Sequence, residues 1–368
     1  MNIIIFITVF VLVGLLTNPS DCLSAAANGL SLCFNTIVPC LFPFFVCSKL
    51  LVQVGAAQKI GDMCRGIMRP IFNLPGSAGV AFVLGLLSGY PVGAQCGVDL
   101  YENNLCTKAE AERIICFCNN SGPLFIIGSI GTGLLRSPKA GIIMYIIHVL
   151  SALTLGILLR FYKRYESMTL PCAYYRSAPL KQVNLGAALS YSVSKAVELI
   201  LYVSGFIVFF NVLIAILEHY RVIAVAENII RLLGISQDLS NAIAVGFFEI
   251  TSGVSAVANS RFGNFKIVLA SVLLAWSGVS VILQVSGILS KTDLSPRIFI
   301  AAKAVQGIIA GVYAMVFILF MPQEIEACAV YNTYTGLFAF AFSLKVMCIG
   351  IAVLALLAFV GLFVKRRC

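Results

Sequence analysis

Charge is the scarce commodity in this 368-residue chain, where Asp, Glu, Lys and Arg together make up only 11%. A soluble domain carries roughly 25%, so the solvating surface of a soluble globule is missing. Histidine occurs twice and tryptophan once. There is no His-Glu-x-x-His, no Gly-x-Ser-x-Gly and no histidine near a plausible nucleophile, so the chain is read as a non-enzyme without a cofactor. The thirteen cysteines contain no Cys-x-x-Cys pair. Cys33, Cys40 and Cys47 recur every seven residues and share a helix face, where small soft side chains serve packing in lipid rather than metal binding. The formal net charge is +10, yet no phosphate loop, zinc finger or aromatic-interleaved basic patch accompanies it. Nucleic acid is therefore not a partner, and the basic residues are read as flanking spans on the cytoplasmic side. No Lys or Arg precedes the first apolar stretch, as a secretory signal requires. Met1–Leu16, ended by Thr17-Asn18-Pro19-Ser20, is read as a retained helix.

What is abundant is apolar sequence. Hydrophobic residues make up 60% and mean hydropathy is +1.00. Apolar runs of roughly 18 residues or more predict bilayer-spanning helices. Such runs lie at 30–53, 140–160, 195–217, 298–321 and 340–364, with polar interruptions in two more at 114–135 and 267–290. Segments 76–98 and 238–258 are apolar but rich in Gly, Ser and Pro, and look broken. Asp62–Asn73 and Arg221–Leu233 alternate charged and apolar residues as surface-lying helices do. The expected fold is an all-α, multi-pass integral membrane protein in the lipid bilayer of the cell membrane. It has about eight transmembrane helices plus two re-entrant hairpins.

The boundaries follow from the polar connectors. An N-terminal helix occupies 1–24 and a first repeat 25–160, containing re-entrant segment 76–98. A basic cytoplasmic linker, 161–184, carries Arg160 at its edge and Lys163, Arg164, Arg176 and Lys181. A second repeat, 185–322, contains re-entrant segment 238–258, and a last helix with the tail Lys365-Arg366-Arg367 fills 323–368. The connector with Glu324 and Glu326 is expected on the opposite face from the basic anchors. If both broken segments return to the side they entered, the second half repeats the first with every direction reversed. Full spanning of both segments is the rival topology. Gly85-Leu86-Leu87-Ser88-Gly89 has a counterpart in Gly246-Phe247-Phe248 with Ser252-Gly253, and Asn120-Ser121-Gly122 in Trp276-Ser277-Gly278. Inverted repeats with discontinuous helices are a design of secondary transporters.

The candidate chemistry lies in four polar breaks: 88–95, 119–123, 249–253 and 277–278. Pro breaks a helix and Gly lets the backbone turn, and freed backbone groups in lipid are tolerated where they line a cavity. Ser88, Asn119, Asn120, Thr251 and Ser252 are candidate ligand hydrogen bonders, with Tyr90 and Ser121 beside them. Gly89, Gly93 and Gly253 would let backbone N–H groups approach a ligand. Glu249 lies deep in an apolar run and would bind a coupling cation, accept a proton or pair with a lysine. Lys303 would be that partner or would meet an anionic substrate. Lys195 and Glu198 are expected to snorkel, His148 to donate a hydrogen bond within the bundle, and Asp99–Arg113 to form an exposed charged arm.

Leu86-Leu87-Ser88-Gly89-Tyr90-Pro91-Val92-Gly93-Ala94 resembles the hallmark of the YlbJ-type sporulation integral membrane proteins, the SpoVV family. Glu110-Ala111-Glu112-Arg113, Cys118-Asn119-Asn120-Ser121-Gly122-Pro123-Leu124-Phe125-Ile126, Pro39-Cys40-Leu41-Phe42-Pro43-Phe44 and Gly246-Phe247-Phe248-Glu249-Ile250-Thr251-Ser252-Gly253 match its pattern as well. The resemblance implies a nucleoside-recognition (Gate) domain and a likeness to concentrative nucleoside transporters. It also implies movement of dipicolinic acid across the outer forespore membrane during endospore formation. Gln95, a candidate solute-binding residue, departs from the pattern by standing where the family is expected to carry a lysine, so an anionic solute would need its positive charge from Lys303. The expected function is a secondary transporter of a small aromatic dicarboxylate, with a proton or sodium as the coupling ion. A homo-oligomer is compatible with this reading. The alternatives are a carrier of nucleosides or other polar heterocycles, and a non-transporting membrane protein that recruits a partner through the Asp99–Arg113 arm.

Overall fold

A computed structural model describes residues 2–53, 63–64, 66–165, 184–232, 234–260 and 263–320. The expected span at 340–364, its basic tail, the Glu324/Glu326 connector and most of the 161–184 linker lie outside these residues.

Among the described residues all regular structure is helical. Four helical segments are long and apolar enough to cross a bilayer, Pro138–Leu159, Leu185–His219, Phe265–Leu289 and Pro296–Phe320, and a bent pair near the N-terminus makes up to five. This bears out an all-helical, multi-pass membrane protein.

Helix α1 (Asn2–Thr17) turns by 104° into α2 (Pro19–Leu32). Pro19 opens the new helix, where its missing N–H is no loss. A π-helical turn, Cys33–Ile37, leads into α3 (Val38–Gln53). Pro39 follows that turn and cannot donate to the carbonyl of Asn35, the condition under which an α-helix loosens.

Two short helices, α4 (Ala78–Ser88) and α5 (Val92–Glu102), fold back on each other about Gly89-Tyr90-Pro91. The contact is backbone on backbone: a Cβ on Gly85 would lie 3.2 Å from Gly93 Cα and would collide with the Cys118 carbonyl of the next helix. That helix, α6 (Lys108–Cys118), starts at a capping box of Thr107 and Glu110. It breaks at Asn119–Pro123 and resumes as a π-helical segment, Leu124–Leu134. Helix α7 (Pro138–Leu159) completes the first half.

Helix α8 (Leu185–His219) runs antiparallel to α2 and its continuation. Asp21 faces His219, Gly29 lies against the Val208 backbone and the Cys33 thiol reaches the Ser204 carbonyl. After α9 (Val222–Arg231), a second fold-back joins α10 (Gln237–Phe248) to α11 (Ile250–Asn259) through Glu249. Gly253 is packed directly on Gly246. Helices α12 (Phe265–Trp276) and α13 (Gly278–Leu289) form one span broken at Ser277, which takes φ 78°. Helix α14 (Pro296–Phe320) packs along α12 and α7.

Large apolar side chains such as Leu201, Ile308 and Leu319 point outward, as a bilayer-facing surface requires. The Asp99–Arg113 stretch departs from expectation in its second half, while Asp99 and Glu102 are exposed as expected. Glu110, Glu112 and Arg113 are buried rather than exposed. Glu110 closes the capping box and lies 3.6 Å from Arg69, while Glu112 accepts from the Ser295 N–H and lies 3.8 Å from Lys163. Buried charge is tolerated only when satisfied in this way. Lys195 and Glu198 pair with each other at 2.6 Å on an exposed face.

Candidate functional site

The four breaks come together in the middle of the bundle. Gly89, at φ 84°, packs on Gly122 of the first broken span, and Gly278, at φ 75°, packs on the Phe248–Ile250 backbone of the second fold-back. Each contact admits no Cβ without displacement, and each glycine holds a left-handed conformation that other residues rarely take. Between the two tips lies a cavity of about 50 Å³. Its polar wall comes from Tyr90, Ser121, Glu249, Thr251, Ser280 and Gln284. Its apolar wall comes from α3, α8 and neighbouring segments, through Ile37, Leu41, Phe125, Val203 and Ile207.

Glu249 sits at the second tip in extended conformation, after the last residue of α10 and before the first of α11. It is 1% exposed. Its carboxylate accepts the Ser252 N–H at 2.7 Å and so caps α11, answering the positive end of that half-helix. The Ser252 hydroxyl donates to Asn211 Oδ1 on α8 at 3.3 Å. Trp276 ties the same tip to the broken span, stacking on Phe247 and donating to its carbonyl at 3.1 Å.

Lys303 is fully buried on α14. Its ammonium donates to the Asn119 carbonyl, to Gln306 Oε1 at 2.8 Å and, more weakly, to Asn120 Oδ1 at 3.4 Å. Gln306 in turn donates to Asn120 Oδ1 at 3.0 Å. The Asn119 carbonyl is freed where α6 breaks, so the lysine satisfies a backbone group that lipid would leave stranded. Tyr90 stands between this network and the cavity, with the Lys303 ammonium 5.3 Å from its ring centroid. Lys303 forms no ion pair with Glu249 among the described residues.

Of the expected site residues, Gly89, Tyr90, Ser121, Glu249 and Thr251 line the cavity. The others do not. Ser88 is buried, and its hydroxyl has no partner among the described residues. Gln95, expected among the solute-binding residues, donates to Asp99 Oδ1 at 2.8 Å on the exposed side of α5 and does not line the cavity. Asn119 Oδ1 accepts the Ala94 N–H at 3.2 Å, and Asn120 belongs to the lysine network. Gly93 and Gly253 serve close helix packing, with backbone where a ligand would have to approach. His148 accepts, rather than donates, a hydrogen bond: its Nε2 takes the Ser121 N–H at 3.2 Å.

Sequence reasoning passed over Ser280, Gln284, Gln306 and Ser151, whose hydroxyl accepts from Gln306 Nε2 at 3.4 Å. Ser280 and Gln284 stand four apart in an apolar run, and Gln306 stands three after Lys303. Those spacings put each pair on one helix face, a signal weaker than a Pro-Gly break. Among the described residues no group of three or more His, Cys, Asp or Glu is placed to hold a metal.

Comparison with known proteins adds the following. Residues 34–119 match a family model described as Nucleoside recognition, Gate. The sporulation integral membrane protein YlbJ of Bacillus subtilis (strain 168) is 32% identical over 325 residues, spanning 83% of this chain and 80% of the relative. No solved structure matches.

Proposed function

The chain belongs to the family of the sporulation integral membrane protein YlbJ, and from that premise we propose that it is a secondary transporter of a small polar solute. The observation that carries this reading is the meeting of two fold-back tips and two broken spans around one cavity. Broken helices at membrane depth expose polar backbone, and a solute pathway is where such exposure is tolerated. The fold-backs are read as re-entrant hairpins and the two halves as inverted repeats. Matching tip contacts, Gly89 on Gly122 and Gly278 on Phe248–Ile250, support that reading.

The solute proposed first is a small aromatic dicarboxylate, dipicolinic acid, carried across the outer forespore membrane of sporulating cells. In the present state the cavity is far smaller than the ~300–1,000 Å³ of ordinary ligand pockets. A tip must therefore move for a solute to enter. The runner-up is a nucleoside or similar polar heterocycle. It is favoured by the character of the wall, where the charged group is the carboxylate of Glu249, which suits hydroxyl and N–H donors better than a dianion. A partner-recruiting scaffold would have to use the exposed first half of the arm, Asp99 and Glu102–Asn104, because Glu110, Glu112 and Arg113 are buried.

Uptake of radiolabelled dipicolinate into proteoliposomes, with nucleosides as competitors, tests these readings together. Accumulation above empty liposomes, unaffected by nucleosides, is the expected result. Suppression by nucleosides favours the runner-up, and no uptake of either class ends the transport reading.

A further inference from the structure

We propose that the second-half wall of the cavity is a binding site for an alkali-metal cation, held by the Glu249 carboxylate, Gln284 Oε1 and the Thr251 hydroxyl. Its role as a coupling ion rests on the transport reading; its binding does not.

Two observations point to it independently. The first is Gln284, which lines the cavity and is 2% exposed. Its Nε2 donates to Ser280 Oγ at 3.4 Å, which leaves Oε1 buried with no partner among the described residues. Buried acceptors are seldom left this way unless an ion, water or ligand answers them. The second is Glu249. The Ser252 N–H occupies one of its oxygens, while an ionised carboxylate offers about four lone-pair sites. No cationic side chain among the described residues pairs with it, and the ammonium of Lys303 is spent on neutral oxygens behind Tyr90. A carboxylate this deeply buried requires a compensating positive charge or a proton.

The donor set selects the class of ion. All three proposed ligands are oxygens, which suits hard cations over soft transition metals. They carry one negative charge between them, which suits a monovalent ion. Oxygen sites for divalent ions bring more ligands and usually more carboxylates. Size agrees, since about 50 Å³ holds an ion with a few waters. Helix α10 ends at Phe248, immediately before Glu249, so its carbonyl terminus lies at this wall beside the oppositely signed N-terminus of α11 that Glu249 caps. Cation coordination by the carboxyl ends of half-helices is a recurring arrangement in carriers. A bound cation would neutralise Glu249 and make the cavity acceptable to an anionic solute.

The test is direct binding of radioactive sodium to the purified full-length protein, with choline replacing sodium in the control. The wild type is expected to bind sodium saturably, with displacement by unlabelled sodium and not by choline. Glu249→Gln and, separately, Gln284→Leu should weaken binding at least about tenfold, the scale of a charge-assisted contact. Lys108→Gln, on the exposed surface, should bind as the wild type does. Thr251→Val supplies a milder ligand deletion should either wall variant fail to elute as a single species. Absence of saturable sodium binding by monodisperse wild-type protein overturns the site, as does unaltered binding by folded Glu249→Gln. A proton in place of the ion would appear as that first result. Sodium binding without solute uptake in liposomes sinks the transport reading and leaves the site. Uptake that is indifferent to sodium, with no sodium bound, does the reverse.

Discussion

The ring of Tyr90 lies over the ammonium of Lys303, 5.3 Å from ring centroid to nitrogen, and the same tyrosine forms part of the cavity wall. The buried ammonium of Lys303 is therefore adjacent to the cavity and screened from it. A ring face over an ammonium is itself a favourable contact. The Tyr90 hydroxyl also bonds Ser277 and, at 3.3 Å, the Leu274 carbonyl. One side chain thus joins the first tip, the broken span of the second half and the lysine network. A dianion seeking Lys303 has to move Tyr90 first.

If the ring yields to the solute, Lys303→Met should weaken dicarboxylate binding about ten- to a hundredfold, the equivalent of ~1.5–3 kcal/mol for a contact to a charged group. Adding Gln95→Lys should restore nothing. Gln95 already reaches Asp99 four residues on, and a lysine there would pair with that carboxylate along the helix. Equilibrium binding to purified protein is the measurement, because uptake mixes affinity with coupling. Unchanged affinity in Lys303→Met removes the lysine from solute recognition, and rescue by Gln95→Lys would mean that α5 turns that face to the cavity during transport.

Tyr90→Phe keeps the ring and deletes the hydroxyl. A net loss of about 0.5–1.5 kcal/mol per buried hydrogen bond is expected, so the first tip should open more often. A cysteine at Thr251, in a background without native cysteines, would then react with a water-soluble thiol reagent about two- to tenfold faster. Equal rates with and without the hydroxyl would show that these bonds do not hold the tip closed.

The breaks were legible in the sequence because Pro and Gly act locally: Gly89-Tyr90-Pro91, Asn119–Pro123 and Ser277-Gly278 each interrupt a helix as expected. The apolar runs at 140–160, 195–217, 267–290 and 298–321 were legible through length alone. Roles inside the breaks were less so. Asn119 and Asn120 read as ligand donors, yet one satisfies the Ala94 N–H and the other anchors Gln306. Which groups a broken helix leaves to its neighbours depends on packing between elements far apart in the chain. The charged stretch ending at Arg113 misled for the same reason. Charge reads as exposure, and only the fold brings Arg69, Lys163 and the Ser295 N–H to its carboxylates.

Gly253 and Gly205 make opposite predictions for the same substitution. A methyl group on Gly253 would run into Gly246 Cα, whereas nothing lies within 4 Å of the position a Cβ would take at Gly205. Gly253→Ala should force α10 and α11 apart and lower the melting temperature of the purified protein by several degrees or prevent its recovery. Gly205→Ala, on the exposed face of α8, should be neutral or stabilise by up to about 1 kcal/mol through helix propensity. Thermal melting in detergent compares the two, and a tolerated Gly253→Ala would refute the close backbone contact.

The inverted arrangement makes a claim about sidedness that needs no knowledge of the solute. Glu102 ends the first fold-back and Asn259 ends the second, and both are exposed. If the hairpins enter from opposite faces, these two ends lie on opposite sides of the membrane. Basic connectors are retained on the cytoplasmic side, and Arg160, Lys163 and Arg164 follow α7. Tracing back from them through α7 and the broken span before it leads to a cytoplasmic Glu102. Tracing forward through α8 leads to an external Asn259. Single cysteines, Glu102→Cys and Asn259→Cys, in a background without native cysteines, can be exposed to a membrane-impermeant maleimide in intact cells. Only the cysteine at 259 should label before permeabilisation, and the one at 102 should label after it. Labelling of both from one side would leave the matching tip contacts as a packing coincidence, since no inverted repeat places both hairpin ends on one face.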